Sequence, residues 1–207
     1  MIKYFLKDLC SERLVLKHLA PNRQNAKLIY DALKNENPDD YKYEPLMKAS
    51  KILPKSIADT IKMMQYYADS ESNDGCVFYM FYNNRFIGVR KISYFKGAFI
   101  LKLNSVWLVR AARGYGFAAE SYRAIEDIAF NKLKANKIMR VNFVENKKSV
   151  KLAENTGFIL DGISRQAVYM DGKFYDLMQW SKLYSDYLKE TTKTTKGVSH
   201  ARNNRFI

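Results

Sequence analysis

The sequence predicts an α+β fold, a mixed and mostly antiparallel twisted sheet flanked by helices on both faces. Three observations predict it. Two amphipathic helical segments come first, three β-rich segments separated by short turn signals follow, and helical and strand-like segments then alternate up to a closing hairpin. With 207 residues, 47% hydrophobic side chains and four prolines, the chain can build one substantial core and is unlike a disordered or collagen-like polymer.

From Asn25 to Leu33, apolar or aromatic side chains at Ala26, Ile29, Tyr30 and Leu33 follow the i, i+3, i+4, i+7 rule of a helix packed on one face. After Pro54, "SIADTIKMMQYYADS" repeats the pattern. Ser56 and Asp59 are spaced as a capping box, and Ile57, Ile61 and Met64 form the expected buried stripe. The period then changes. "CVFYMFY", "RFIGVRKISYF" and "AFILKLNSVWLV" are rich in β-branched and aromatic residues, and Asn83-Asn84 and Lys96-Gly97 separate them as turn signals. They read as three successive antiparallel strands. Ala118, Tyr122, Ile125, Ala129 and Leu133 mark a third helix. "KIMRVNFV" is a strand free to pair in parallel, and "SVKLAENTG" is a short helix closed by Gly157. Asp171-Gly172 joins two last strands as a type I′ hairpin. A short helix near Leu183 to Leu188 ends the domain, expected at residues 1–188, and residues 189–207 read as a basic, flexible tail.

Thirty-five basic against 21 acidic side chains give a formal charge of +14, which draws anions, acidic proteins or nucleic acid toward the surface. No RNP, KH or helix-turn-helix signature accompanies that charge, so it implies no specific nucleic-acid motif. Lys3, Lys7 and Asp8 interrupt the opening before any apolar stretch reaches signal-peptide length, and the longest uncharged run of large side chains is "VFYMFY". A cytoplasmic protein with no membrane association is the expectation. Cys10 and Cys76 lack CxxC partners, and His18 and His200 lack zinc spacing, so free thiols and no metal are expected.

The chemistry concentrates in "RGYGFAAES", Arg113 to Ser121, where a strand gives way to a helix. A helix N-terminus offers unsatisfied amides and a partial positive charge. Glycines such as Gly114 and Gly116 let backbone approach a phosphate closely, and Arg113 adds fixed charge. A tight turn before a buried helix uses the same residues, so the stretch by itself leaves both readings open.

"RGYGFA" also resembles, as Arg-x-x-Gly-x-Ala, the acyl-CoA pyrophosphate motif of the GCN5-related N-acetyltransferase (GNAT) family. "NKKSVKLAENTGFILDG", "RQAVYMDGKFYDL" and the opening "ERLVLKHLAP" are similar to the branch of that family that acetylates the N-termini of ribosomal proteins. The resemblance covers the chain to about residue 188 and implies the GNAT fold, with acetyl-CoA as cosubstrate. It gives Arg113, Gly114, Tyr115, Gly116, Phe117 and Ala118 as the pyrophosphate loop. It places the backbone of Trp107, Leu108 and Val109 beside the pantetheine arm, has Asn146 bond that arm, and sets Ser149 at the thioester sulfur. Read alone, Asn146 and Ser149 also suit a helix cap, and Trp107 also suits a core. The chain departs from the pattern twice. The family's frequent tyrosine acid, seven residues after the asparagine, is here Ala153, and the glutamate that follows "QA" in the branch is here Val168. The general base is therefore not transferred, and Glu120, Tyr169 and Asp176 stand as unranked substitutes.

The function implied is direct transfer of acetyl to a primary amine, with a protein N-terminus favoured as acceptor and ribosome proximity in keeping with the basic charge. A small amine or antibiotic acceptor, or a weakly active acyl-CoA-binding module, are the alternatives. Monomer and homodimer are both compatible with the sequence.

Overall fold

The computed structural model describes residues 5, 7–43, 53–69 and 75–192. Strands β1 (Leu9–Cys10) and β2 (Leu14–Lys17) form an entry corner. Helices α1 (Arg23–Leu33) and α2 (Ile57–Asp69) follow, then the meander β3 (Gly75–Tyr82), β4 (Arg85–Phe95) and β5 (Ile100–Leu108). Helix α3 (Phe117–Asp127) leads to β6 (Lys137–Phe143), α4 (Lys147–Asn155), β7 (Ile159–Met170) and β8 (Lys173–Leu183), with α5 over residues 184–192. All eight strands join one sheet in the order β1-β2-β3-β4-β5-β6-β8-β7. Every pairing is antiparallel except β5 with β6.

Strand alternation shows where the helices lie. Val89 and Arg90 are neighbours on β4 and point to opposite faces. Arg90 donates to Ala118 O on α3 (2.8 Å), whereas Trp107, the cross-strand partner of Val89, donates through Nε1 to Tyr67 Oη on α2 (3.2 Å). Helices therefore cover both faces. β3, buried at every position but its last, reads as an unbroken apolar run for that reason.

Most local signals act as the sequence suggests. Asn22 caps α1, its side chain accepting from Asn25 N (2.9 Å). Ser56 Oγ accepts from Asp59 N (3.1 Å) and donates to the Asp59 carboxylate (2.8 Å). Asn83, Asn84, Asp171 and Gly172 all have positive φ, as two tight hairpins require. The α2 stripe differs from expectation. Thr60, Met64 and Tyr67 are buried, while Ile57 and Ile61 are only partly so. Thr60 can be buried because its hydroxyl donates to Ser56 O (2.9 Å). The third helix also differs, since a π turn over Ile128–Lys132 continues α3 and shifts its register so that Phe130 is buried beside Ala129.

The last helix runs past residue 188. α5 continues to residue 192, and Glu190 reaches back to Lys182, which is 1% exposed and also binds Glu126 of α3 (2.6 Å) and Thr156 O at the end of α4 (3.2 Å). One ammonium thus ties three helices to β8. Residues 193–207, the remainder of the expected tail, lie outside the described residues. Gly157 (φ +75°) closes α4 in a Schellman turn, with Phe158 N donating to Ala153 O (3.1 Å), and a methyl group there would overlap the Glu190 carboxylate. Gly157→Ala is therefore expected to lower stability by about 1–2 kcal/mol in urea unfolding, with an unchanged m-value.

Candidate functional site

β5 and β6 pair only from Ile100 to Leu103 against Lys137 to Arg140. Beyond that point each keeps its other neighbour and leaves the first. A bulge at Asn104, where the β4–β5 register shifts, sits at the parting point. The divergence opens a cavity of about 710 Å³. Asn104 to Val106 form one wall and Arg140 to Phe143 the other, α4 contributes Asn146 and Ser149, and Tyr43 and the β7–β8 hairpin form a rim.

At the other end of β5 the chain turns through Arg110–Ala112 into Arg113 and then α3. Gly114 (φ +86°) and Gly116 (φ +80°) take left-handed conformations, and a Cβ on Gly114 would meet nothing within 4 Å. Gly116 is the N-cap and supplies no side chain to the first-turn amides; the first helical bond is Glu120 N to Gly116 O (3.0 Å). An open set of amides therefore faces outward at a helix N-terminus. Tyr115 is exposed, whereas Phe117 is buried beneath the guanidinium of Arg13.

Distant residues hold this turn. Arg113 donates through Nε to Leu108 O (2.9 Å) and pairs with Asp40 (3.2 Å), and Glu36 accepts from Arg110 N (2.9 Å) and from Tyr41 Oη (2.7 Å). Arg13 donates to Tyr115 O (3.1 Å) and grips Glu120 (2.6 Å), which also accepts from Ser11 Oγ. Burial raises the Glu120 pKa, but the Ser11 and Arg13 donors outweigh it and hold the carboxyl below its usual range. Apart from Leu108, five residues before Arg113, the partners that brace the turn are far away along the chain and so are visible in no local motif.

The structure divides the sequence-predicted residues into two groups. Asn146 and Ser149 meet at the cavity, while Trp107, Leu108, Val109 and the turn from Arg113 to Ala118 lie along and beyond the free end of β5. The Trp107 side chain is in the core against Tyr41 and Phe86. Asn146 is the cap of α4, its side chain accepting from Ser149 N (3.2 Å). Ser149 does not cap; its Oγ instead accepts from Arg140 Nη2 (2.8 Å). Of the three substitute bases, only Tyr169 lines the cavity, beside Val168. Glu120 is bound to Arg13, and Asp176 accepts from Gln166 N (2.7 Å), bracing the β7 bulge between Ser164 and Val168.

Two lining residues have no signature in the sequence. Arg90 and Arg140 are 2% and 7% exposed, and neither has a carboxylate partner among the described residues. Burial, and for Arg90 also the charge of Arg140, brings their pKa values down to about 9 and about 10, so both remain cations at neutral pH. Asn142 follows Arg140 by two positions and shares its face. Its Oδ1 is buried with no partner among the described residues.

Such a gap suits a long ligand with phosphate at one end. The sequence carries a matching family mark, since residues 3–159 match the acetyltransferase (GNAT) domain family, and the chain belongs to it. Two Bacillus subtilis proteins are similar to it. One, named "Putative ribosomal N-acetyltransferase YdaF", is 28% identical over 39% of this chain and 44% of its own length. The other, named "Probable N-acetyltransferase YjcK", is 30% identical over 45% and 52%. The chain thus spans about half the length of these curated relatives. Among solved structures, a GCN5-related N-acetyltransferase from Brucella melitensis shares the fold with a TM-score of 0.75 at 18% identity, covering 88% of this chain and 80% of that one. The ribosomal L7/L12 alpha-N-protein acetyltransferase RimL superposes with a TM-score of 0.67 at 18% identity, covering 85% and 93%.

Among the described residues no helix is long and apolar enough to cross a membrane, and no group of three or more His, Cys, Asp or Glu is placed to hold a metal ion.

The brace under the turn gives a signed pH prediction. Because the folded Glu120 pKa is depressed, its stabilisation is present above the unfolded carboxyl value and is lost as pH falls through the folded one. Glu120→Gln should lower stability by about 1.5–3 kcal/mol at pH 7, and the gap from wild type should narrow as the pH falls below the usual carboxylate range, as read by urea unfolding across the acid range.

Proposed function

We propose that the chain transfers acetyl from acetyl-CoA to a primary amine, and that the favoured acceptor is the α-amino group of a protein N-terminus. The observation that carries this reading is the placement of the outward amides from Gly114 to Ala118 at one end of the gap and Ser149 at the other, with the free edge of β5 between them. The amides and the α3 dipole receive the diphosphate, and Arg113 stays beside them. The pantetheine arm then runs along Trp107 to Val109, with Asn146 bonding it, and the Asn142 Oδ1 acceptor takes one of its N–H groups. The amine enters from the Tyr43 and Tyr169 side.

In the reaction the nitrogen lone pair forms a C–N bond with the thioester carbonyl carbon, and the C–S bond then breaks. Ser149 Oγ–H donates a hydrogen bond to the departing sulfur, which takes its proton from water, while the nitrogen loses its extra proton to solvent. The products are the acetamide and CoA. Holding amine and thioester together supplies most of the advantage. With Val168 where a carboxylate base would stand, the amine must arrive substantially neutral. An α-amino group, with a pKa of about 7.7–8.0, is neutral in roughly a tenth of molecules at pH 7, whereas a lysine amine near about 10.4 is neutral in fewer than about one in a thousand. A relative named as a ribosomal N-acetyltransferase supports the same acceptor class. The net positive charge and the two buried arginines disfavour a polycationic small amine.

Incubation with acetyl-CoA should add about 42 Da to an N-terminal peptide and release CoA, with spermidine turning over more slowly. Ser149→Ala should lower kcat by about 10²-fold at unchanged CoA affinity. Gly116→Val forces a β-branched residue to φ +80° and should weaken CoA binding at least about tenfold in calorimetry. Absence of any adduct, or unchanged affinity in the glycine variant, overturns the reading.

A further inference from the structure

We propose that the buried guanidiniums of Arg140 and Arg90 supply the positive charge that stabilises the departing CoA thiolate, with Arg140 acting through Ser149 as a positioning residue. The proposal rests on the acetyl-transfer reading above and assigns the charge its chemistry needs.

The geometry begins at Ser149. Its Oγ accepts from Arg140 Nη2 at 2.8 Å, and its carbonyl accepts from the same nitrogen at 3.3 Å. With a lone pair held by a cation, the hydroxyl is fixed in place and its proton is left to donate. No acceptor for that proton occurs among the described residues. A hydroxyl polarised in this way is a better donor to sulfur than one facing water.

The second observation is charge balance. Among the described residues the other buried cation is fully paired, since Lys182 sits between Glu126 and Glu190, and the half-exposed Arg13 holds Glu120. Arg140 has a serine and the ring of Phe158 at 5.7 Å, and Arg90 has Ser121 Oγ and Ala118 O. Two neighbouring buried cations with no anion are costly in a resting protein. They become favourable when negative charge forms beside them in a place closed to water. Both line the cavity, and both lie on the side of α3 and α4, the helices that flank the gap. The departing sulfur is the one atom of the proposed reaction that acquires lasting negative charge there. The other charged or titratable side chains lining the cavity are Lys102, Asp171, Tyr43 and Tyr169. Behind the pair, the Tyr122 hydroxyl is bound to Glu126, which Lys182 already neutralises.

When the C–S bond breaks, its electron pair goes to sulfur. The Ser149 hydroxyl keeps its proton and donates a hydrogen bond to that sulfur, while Arg140 and Arg90 hold the thiolate charge until the sulfur takes a proton from water, so no further reactant is needed.

The test uses the full chain. Arg140→Met should lower kcat about 10²-fold with KM for acetyl-CoA and acceptor changed less than about threefold, and Arg140→Lys should recover part of the loss. In a Ser149→Ala background, Arg140→Met should cost little more, because the two act as a unit. Wild type offers a reading independent of whether the variants fold. CoA should bind about fivefold tighter or more relative to desulfo-CoA at pH 8 than at pH 6, as the thiol, normally near about 8.5, ionises beside the pair. The proposal is overturned by an unchanged kcat in folded Arg140→Met, by a loss confined to acceptor KM, by additive losses in the double variant, or by a CoA to desulfo-CoA ratio that ignores pH. If wild type transfers no acetyl at all, the acetyl-transfer reading itself fails instead.

Discussion

Two strands that hydrogen-bond side by side and then part create a problem the rest of the molecule must solve. β5 and β6 share a ladder only up to Leu103 and Arg140, and past that point each presents backbone to a gap. Unpaired backbone polar groups need partners, so the gap persists only because its walls are fixed from outside. β4 holds β5 along its whole length, β8 holds β6, and α3 and α4 sit over the opening. A ligand arm with its own amides is the natural filler, since it can use backbone groups that no strand reaches.

Rigidity at the two ends of the gap comes from unrelated parts of the chain. The turn at Gly114 and Gly116 is held by Arg13 and Glu120 on one flank and by Glu36, Asp40 and Tyr41 on the other. Two left-handed glycines with a single residue between them would otherwise sample many conformations, so preorganised amides depend on those long-range bonds. At the far end, the Lys182 cluster fixes α3, α4 and α5 against β8, and through α4 it sets where Ser149 stands.

Local chemistry explains what was legible in the sequence. The hairpins at Asn83-Asn84 and Asp171-Gly172, the Ser56 cap and the Gly157 stop each depend on residues within a few positions, and each forms as its sequence suggests. The α2 stripe is rotated from its expected position because Thr60 can be buried by bonding its own helix, and the π turn after Asp127 has no compositional mark. In the site, the glycine turn and the Asn146 cap could be read directly. Arg90 and Arg140 could not, since an arginine within a strand reads as a solvated position until the fold buries it. Glu120 could be noticed but not interpreted, because its partners Ser11 and Arg13 are more than a hundred residues away.

The same contrast bears on catalysis. Where the related branch places a glutamate, this chain has Val168, and among the described residues Asp171 is the one carboxylate lining the cavity, against Arg90, Arg140 and Lys102. A wall of that sign cannot take up a proton, and it repels an ammonium. In the acetyl transfer proposed above it would act at both ends in one sense, favouring the neutral amine that attacks and the anionic sulfur that leaves. Under that proposal, an acceptor whose nitrogen is already partly neutral at physiological pH would lose least from the missing base, which is the physical argument for an α-amino group over a lysine side chain.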